Sequence, residues 1–294
     1  LVVIGPCSIH DVEAAKEWAA RLANISAQLQ DRMYVVMRTF FEKPRTTVGW
    51  QGLICDPDIN GSNNGEEGLR RARQLLVDIN SLGLPTAMEV IDPIVPQYLA
   101  ELLAVTTVGA RTSESSTQRR LASGLSMPVG FKNGTDGDLQ GAINAIVAAQ
   151  YPQSFFGIDP DGRSAVVHTT GNHEGFLIMR GGRTGTNFDA DSINAAGAAL
   201  EAKNLRAAIM VDCNHAQSGG DTDQEEAVWK VVKKAVNVLS SKGVRIALGS
   251  ITQVAKQTFG VFSNAIPNMG KDVDLLMKAT AQYHMQRAGA NELM

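Results

Sequence analysis

The sequence predicts a single (β/α)8 barrel with an extra β-hairpin before its sixth strand, and three observations carry that expectation. Short apolar runs of strand length alternate with longer runs of helical periodicity, which implies a parallel sheet joined by crossover helices. Seven of the apolar runs end on a residue able to hold a phosphate, a carboxylate or a metal: LVVIGPC at Cys7, VVMR at Arg38, TAMEV with Glu89, VGAR at Arg111, VGFK at Lys132, LIMR at Arg180 and IMVDCNH at His215. Chemistry placed just beyond successive strands is how a (β/α)8 barrel assembles a site at the C-terminal mouth of its sheet. Finally, 294 residues with 44% apolar content suit one barrel spanning residues 1–294 as a single domain.

Between the strands, helical spacing runs over Asp11–Gln30, Gly65–Leu82, Pro96–Leu103, Asp138–Ala149, Asp191–Lys203 and Gln224–Ser240. A long loop rich in Gly, Pro, Asn and Asp, Lys43–Asn64, follows the second strand, and loops of that length in compact domains are usually functional. Ser154–Asn172 reads as two short strands around a DPDGR turn, the extra hairpin. The eighth strand, VRIALGSI, is where the pattern of chemistry at strand ends fails.

Bulk composition narrows the class of function. A net charge of −3 gives no general attraction for nucleic acid or an anionic membrane. No run approaches the length of a spanning helix and no signal peptide opens the chain, so a cytoplasmic location is expected. Three cysteines argue against a disulfide framework and leave each as a core thiol or a ligand. The chain opens inside a strand pattern at Leu1 and reads as lacking its native N-terminus.

The densest cationic segment is MRTFFEKPRTTVGW, with Arg38, Lys43 and Arg45 around Pro44 and the hydroxyls of Thr46 and Thr47. Such a loop suits a phosphorylated ligand, because a guanidinium fork binds oxyanions bidentately, although a solvated basic turn has the same composition. GARTSES, GFKNGTDG and LIMRGGR repeat the logic with Arg111, Lys132 and Arg180. Four cations converging on one mouth would repel each other unless a polyanion were bound; a ligand carrying both phosphate and carboxylate satisfies them. Cys7 and His215, on first and seventh strands expected to lie near one another, offer a thiolate and an imidazole to a divalent ion such as Zn, Fe, Co or Mn, against the plainer reading of buried structural residues.

Taken together, GPCSIHD, MRxxFEKPRTTVGWxGLxxDP, GARTSES, SGLSMPVGFKNGTDG, HTTGN, MRGG and VDxxHA, in order from Leu1 to about Ser218, closely resemble the phenylalanine- or tyrosine-regulated class of 3-deoxy-7-phosphoheptulonate synthases. The resemblance implies a metal-dependent condensation of phosphoenolpyruvate with erythrose 4-phosphate, the first step of the shikimate route to aromatic amino acids. It implies that Arg38, Lys43, Arg111, Lys132 and Arg180 bind phosphoenolpyruvate, and that Lys43, Pro44, Arg45 and Thr46 hold erythrose 4-phosphate. It further implies that Cys7 and His215 ligate the metal, that Lys43, Glu89 and His215 serve the chemistry, and that the protein is a homo-oligomer. Pro96, Gln97 and Ser126 match positions lining a site for an aromatic amino acid inhibitor.

The resemblance weakens after about residue 219. The family pattern adds a glutamate at the eighth strand end and an aspartate in a segment like SITDAC, whereas this chain reads IALGSITQ, with Ser250, Ile251, Thr252 and Gln253 and no carboxylate. Asp272, or Asp274 beside it, is the candidate replacement ligand by position. Two other readings follow. One is a metal-deficient, non-catalytic paralogue that binds phosphorylated ligands or partner subunits, and the other is a Schiff-base aldolase using Lys132.

Overall fold

The computed structural model describes residues 1–31, 33–45, 47–221, 224–225, 227–228 and 230–232, together with the backbone of strand 245–251. The strands are β1 (Val2–Ile4), β2 (Val35–Arg38), β3 (Thr86–Val90), β4 (Val105–Val108), β5 (Val129–Lys132), β6 (Ser154–Ile158), β7 (Ser164–His168), β8 (Gly175–Met179), β9 (Ala208–Asp212) and β10 (Arg245–Ile251). Eight of them close a parallel barrel in the order β1-β10-β9-β8-β5-β4-β3-β2, while β6 and β7 form a separate antiparallel pair. The expected barrel and its extra hairpin are both present.

Helices α1 (Val12–Leu29), α2 (Gly65–Ser81), α3 (Val95–Leu99), α4 (Ser116–Ala122), α5 (Gln140–Ala149) and α6 (Ala190–Glu201) supply the crossovers. Their starts are set by side chains that take up the orphan amides of the first turn: Asp11 accepts from Ala14, Asn64 from Glu67 and Asp189 from Ser192. The Pro96–Leu103 helix of the sequence reading is shorter than expected. After Leu99 the chain tightens into a 3-10 turn, Ala100–Leu102, and turns at once into β4.

Side-chain alternation along the strands divides the interior into two clusters. Val2, Ile4, Val35, Met37, Met88, Val129, Phe131, Leu177, Met179, Ile209 and Val211 pack outward against Trp18, Leu22, Leu75, Leu76, Ile143 and Ile146 of the helices. Their neighbours Val3, Val36, Ala87, Val105, Ile178 and Met210, with Phe176, form the inner cluster. Gly130 belongs to the inner register, and a Cβ there would lie 2.5 Å from the Phe176 ring, so the missing side chain is what admits the aromatic plug. Because a strand repeats every two residues, the inward positions one step above this plug are Arg38, Glu89, Thr107, Lys132, Arg180 and Asp212. An apolar floor and a charged upper layer therefore come from the same alternation.

The ring order corrects one expectation. The strands bearing Cys7 and His215 are not neighbours, because β10 pairs with β1 on one side, Ile251 opposite Ile4, and with β9 on the other, Gly249 opposite Asp212. Closing eight strands places the last between the seventh and the first. Most of the expected helix Gln224–Ser240, together with Thr46, Asp272 and Asp274, lies outside the described residues.

Candidate active site

The upper layer of the barrel is an ionic cluster. Lys132 Nζ donates to Glu89 Oε2 at 2.5 Å, both side chains 7% exposed, and lies 3.9 Å from Asp212 Oδ2. Ser113 Oγ, itself buried, donates to the Lys132 carbonyl at 2.8 Å and fixes the strand end. Arg38 is buried, donates to the Cys7 carbonyl at 3.2 Å and stacks over the Phe40 ring at 3.9 Å, with Lys132 Nζ 5.8 Å from the same ring. Asn133 locks the next strand end: its Oδ1 accepts the Arg180 amide at 2.8 Å and its Nδ2 donates to Gly181.

Burial alone would push Glu89 up, but the charge and hydrogen bond of Lys132, then Arg38 and His215, outweigh it and hold the carboxyl below the usual range. Asp212 is likewise opposed by burial, and His215, Lys132 and Arg38 hold it at about 2. Arg180 is pushed down by burial, with Arg111 adding repulsion and Asp212 and Glu89 opposing it. A guanidinium fork of this kind suits an oxyanion. Among the described residues the cations Arg38, Lys132, Arg180, Arg111 and Lys43 outnumber the carboxylates Glu89, Asp212 and Glu225 around them.

The loop after β2 is pinched at its base. Glu42 and Gly52 form an antiparallel bridge, and the Lys43 amide donates to the Gln51 carbonyl at 2.8 Å. Above that neck, Lys43 Nζ donates to Cys7 Sγ at 2.8 Å, whereas Arg45 folds back so that its Nε donates to the Trp50 carbonyl at 2.7 Å. Gly52 has φ +114°, and a Cβ there would sit 2.1 Å from the Phe41 carbonyl. Gly52→Ala is therefore expected to lower stability by about 2–4 kcal/mol through strain and the forced shift of the neck, measured by denaturant unfolding; a loss under about 0.5 kcal/mol would show that the neck adapts freely.

His215 follows a tight turn in which Asn214 Nδ2 donates to Glu225 at 2.6 Å and the Asn214 side chain accepts the His215 amide. Its φ of 58° is unusual for a residue with a Cβ. Nδ1 lies 2.9 Å from Asp212 Oδ2, without the alignment of a well-formed hydrogen bond.

As donors for a metal, Cys7 and His215 are chemically suitable, and they flank β10. That strand offers no Asp, Glu, His or Cys over Arg245–Ile251, and among the described residues no group of three or more such side chains stands together. A catalytic zinc-type site needs at least three protein ligands, so the described residues do not complete one.

The proposed inhibitor positions are separated in environment. Pro96 is buried in α3; Gln97 Oε1 accepts the Ile158 amide of the hairpin at 2.9 Å; Ser126 is exposed on the loop before β5. Sequence reasoning missed Asp212, Phe40, Asn133 and Glu42, although Asp212 stood within the quoted DCNH.

Fold and site together define a (β/α)8 barrel with a cluster of buried cations and carboxylates at the C-terminal mouth of its sheet. The family profile described as the DAHP synthetase I family matches residues 1–248, and the chain belongs to that family. It is 53% identical over 218 residues to phospho-2-dehydro-3-deoxyheptonate aldolase AMT16 of Alternaria alternata, covering 74% of this chain and 58% of that protein. Against the Tyr-sensitive phospho-2-dehydro-3-deoxyheptonate aldolase of Salmonella typhimurium it is 51% identical over 232 residues, 79% of this chain and 65% of the relative. The chain thus spans less than two thirds of the length of these relatives. A solved phospho-2-dehydro-3-deoxyheptonate aldolase from Francisella tularensis superposes with a TM-score of 0.83 at 38% identity, covering 95% of this chain and 85% of that one. The family is generally metal-dependent. No helix among the described residues is long and apolar enough to cross a membrane.

Proposed function

We propose that the protein condenses phosphoenolpyruvate with D-erythrose 4-phosphate and water to give 3-deoxy-D-arabino-heptulosonate 7-phosphate and inorganic phosphate. The observation that carries this reading is the cationic upper layer set over the ionised Glu89. Phosphoenolpyruvate bears a phosphate and a carboxylate on three carbons, and Arg38, Arg111, Lys132 and Arg180 offer it donors from four strand ends. Erythrose 4-phosphate is assigned to the Lys43–Thr46 segment, where the Nε bond to Trp50 orients Arg45.

In this scheme the enol C3 attacks the aldehyde carbon and the Lys43 ammonium protonates the alkoxide that forms. Glu89, ionised beside Lys132 until this step, orients a water that adds to the cationic C2, and the carboxylate takes up the proton that water loses. The hemiketal phosphate then breaks its C–O bond and releases phosphate. The donors that the described residues offer a divalent ion (Mn, Fe, Co or Zn) are Cys7 and His215, and the steps above use only the protein's own groups. An aromatic amino acid site around Pro96, Gln97 and Ser126, a homo-oligomer and a cytoplasmic location belong to the same proposal.

A Schiff-base aldolase is the weaker reading, since Lys132 Nζ is engaged with the Glu89 carboxylate and an ammonium is not a nucleophile. The test is loss of the phosphoenolpyruvate absorbance with each substrate alone and together, with Mn added. Loss only when both are present is expected. Borohydride inactivation dependent on substrate would instead support the Schiff base, and phosphoenolpyruvate binding without turnover at any metal concentration would support the non-catalytic paralogue.

A further inference from the structure

Glu42 is a carboxyl that the proposed chemistry does not use, yet it is only 5% exposed. Its backbone forms the bridge to Gly52 that closes the neck of the 43–51 loop, and it directly precedes Lys43. Its side chain reaches across to the end of β3, where Oε1 accepts the Asp92 amide at 3.3 Å, while Oε2 is buried and has no hydrogen-bond partner among the described residues. A buried carboxylate left with an unsatisfied oxygen is costly, and the neutral acid is much less so.

The groups facing it sharpen that contrast. Glu89 comes from β3, Asp92 from the loop after β3, and Cys55, with Asp56 beside it, from the segment after the neck. Asp92 cannot turn away, because its Oδ1 accepts the amides of Ile94 at 2.6 Å and Val95 at 3.3 Å. Among these facing groups none is a cation.

We propose that Glu42 is a positioning residue whose neutral carboxyl fastens the neck of the 43–51 loop to the end of β3, holding Lys43 and Arg45 in register with Glu89. The role assigned to those residues rests on the condensation reading, whereas the fastening does not. Burial, opposed by the Asp92 and Ile91 amides and aided by the charges of Asp92 and Glu89, raises the Glu42 carboxyl to about 7. The sign follows from linkage: the closed neck holds the proton to a higher pH than an opened one, whose carboxyl keeps its ordinary value of 4.5. The closed form is therefore favoured below that ordinary value and is progressively lost as pH rises through the folded value.

Hydrogen exchange of the full chain, read by mass spectrometry over residues 43–51 and corrected for intrinsic rate, tests this without requiring turnover. Opening is expected to be about tenfold more frequent at pH 8 than at pH 6, with the α2 segment unchanged as a control on global unfolding. Glu42→Gln, which keeps a neutral acceptor, should abolish that pH dependence. Glu42→Ala should exchange fast at both pH values, with a raised KM for erythrose 4-phosphate and a smaller change in kcat. Equal corrected exchange at both pH values in the native chain, or an E42Q profile that follows the native one, would overturn the proposal. If neither form turns over, the condensation reading fails while the exchange result still decides the role of Glu42.

Discussion

Lys132→Met is expected to lower conformational stability by about 3–5 kcal/mol and to remove turnover. The reason is asymmetry: Lys132 and Glu89 are both nearly inaccessible to water at 7% exposure, and deleting one partner leaves the other charge buried. Asp212, 3.9 Å from the same ammonium, loses part of its compensation as well. The double variant Lys132→Met with Glu89→Gln should recover most of the stability, because replacing both members of a buried pair is often close to neutral. It should recover no activity, since on the proposed condensation it lacks both a phosphoenolpyruvate donor and the carboxylate that orients water. Urea unfolding of the two single variants and the double variant measures the coupling directly. A single-variant loss below about 1 kcal/mol would mean that water reaches the pair and the layer is not closed.

The second large effect is catalytic. Arg38→Met should reduce kcat/KM for phosphoenolpyruvate by about 2–5 kcal/mol, roughly 30- to 5,000-fold, with a smaller change in the KM for erythrose 4-phosphate. Arg38 is held by the Cys7 carbonyl below its fork and by the Phe40 ring across its face, so its geometry is set before any ligand arrives. Arg38→Lys keeps the charge and loses the fork and much of the stacking, and should fall between the two. Equal losses toward both substrates in Arg38→Met would assign the residue to the fold of the mouth rather than to one ligand.

Much of the mouth was legible because the chemistry obeys the strand period. Arg38, Glu89, Lys132 and Arg180 each stand two residues above an inward small or apolar position, and each lies at or next to the end of a run that reads as a buried strand. Asp212, the last residue of β9, follows the same rule after Met210, but was overshadowed by His215 three residues on. Its role depends on Lys132 and Glu89, far away in sequence. Glu42 was hidden for a related reason: between Phe41 and Lys43 it looks like one more charge on a loop. Only the bridge to Gly52 and the contact with Asp92, fifty positions away, bury it. The relation of Cys7 to His215 was misread because residue order says which strands exist, whereas ring closure decides that β10 separates them. The bland alternative for the MRTFFEKPRTTVGW segment, a solvated turn, holds for exposed Pro44 and Arg45 and fails for Arg38 and Glu42, which are buried.

The claim that this mouth binds phosphoenolpyruvate so that C2 is attacked by water and phosphate departs with the bridging oxygen is tested most directly by isotope. With phosphoenolpyruvate labelled with oxygen-18 at the C–O–P bridge, erythrose 4-phosphate and Mn, the released inorganic phosphate should carry the label. Unlabelled phosphate would place the cleavage at phosphorus, and absence of any phosphate release would leave the mouth as a binding site alone; either result contradicts the account.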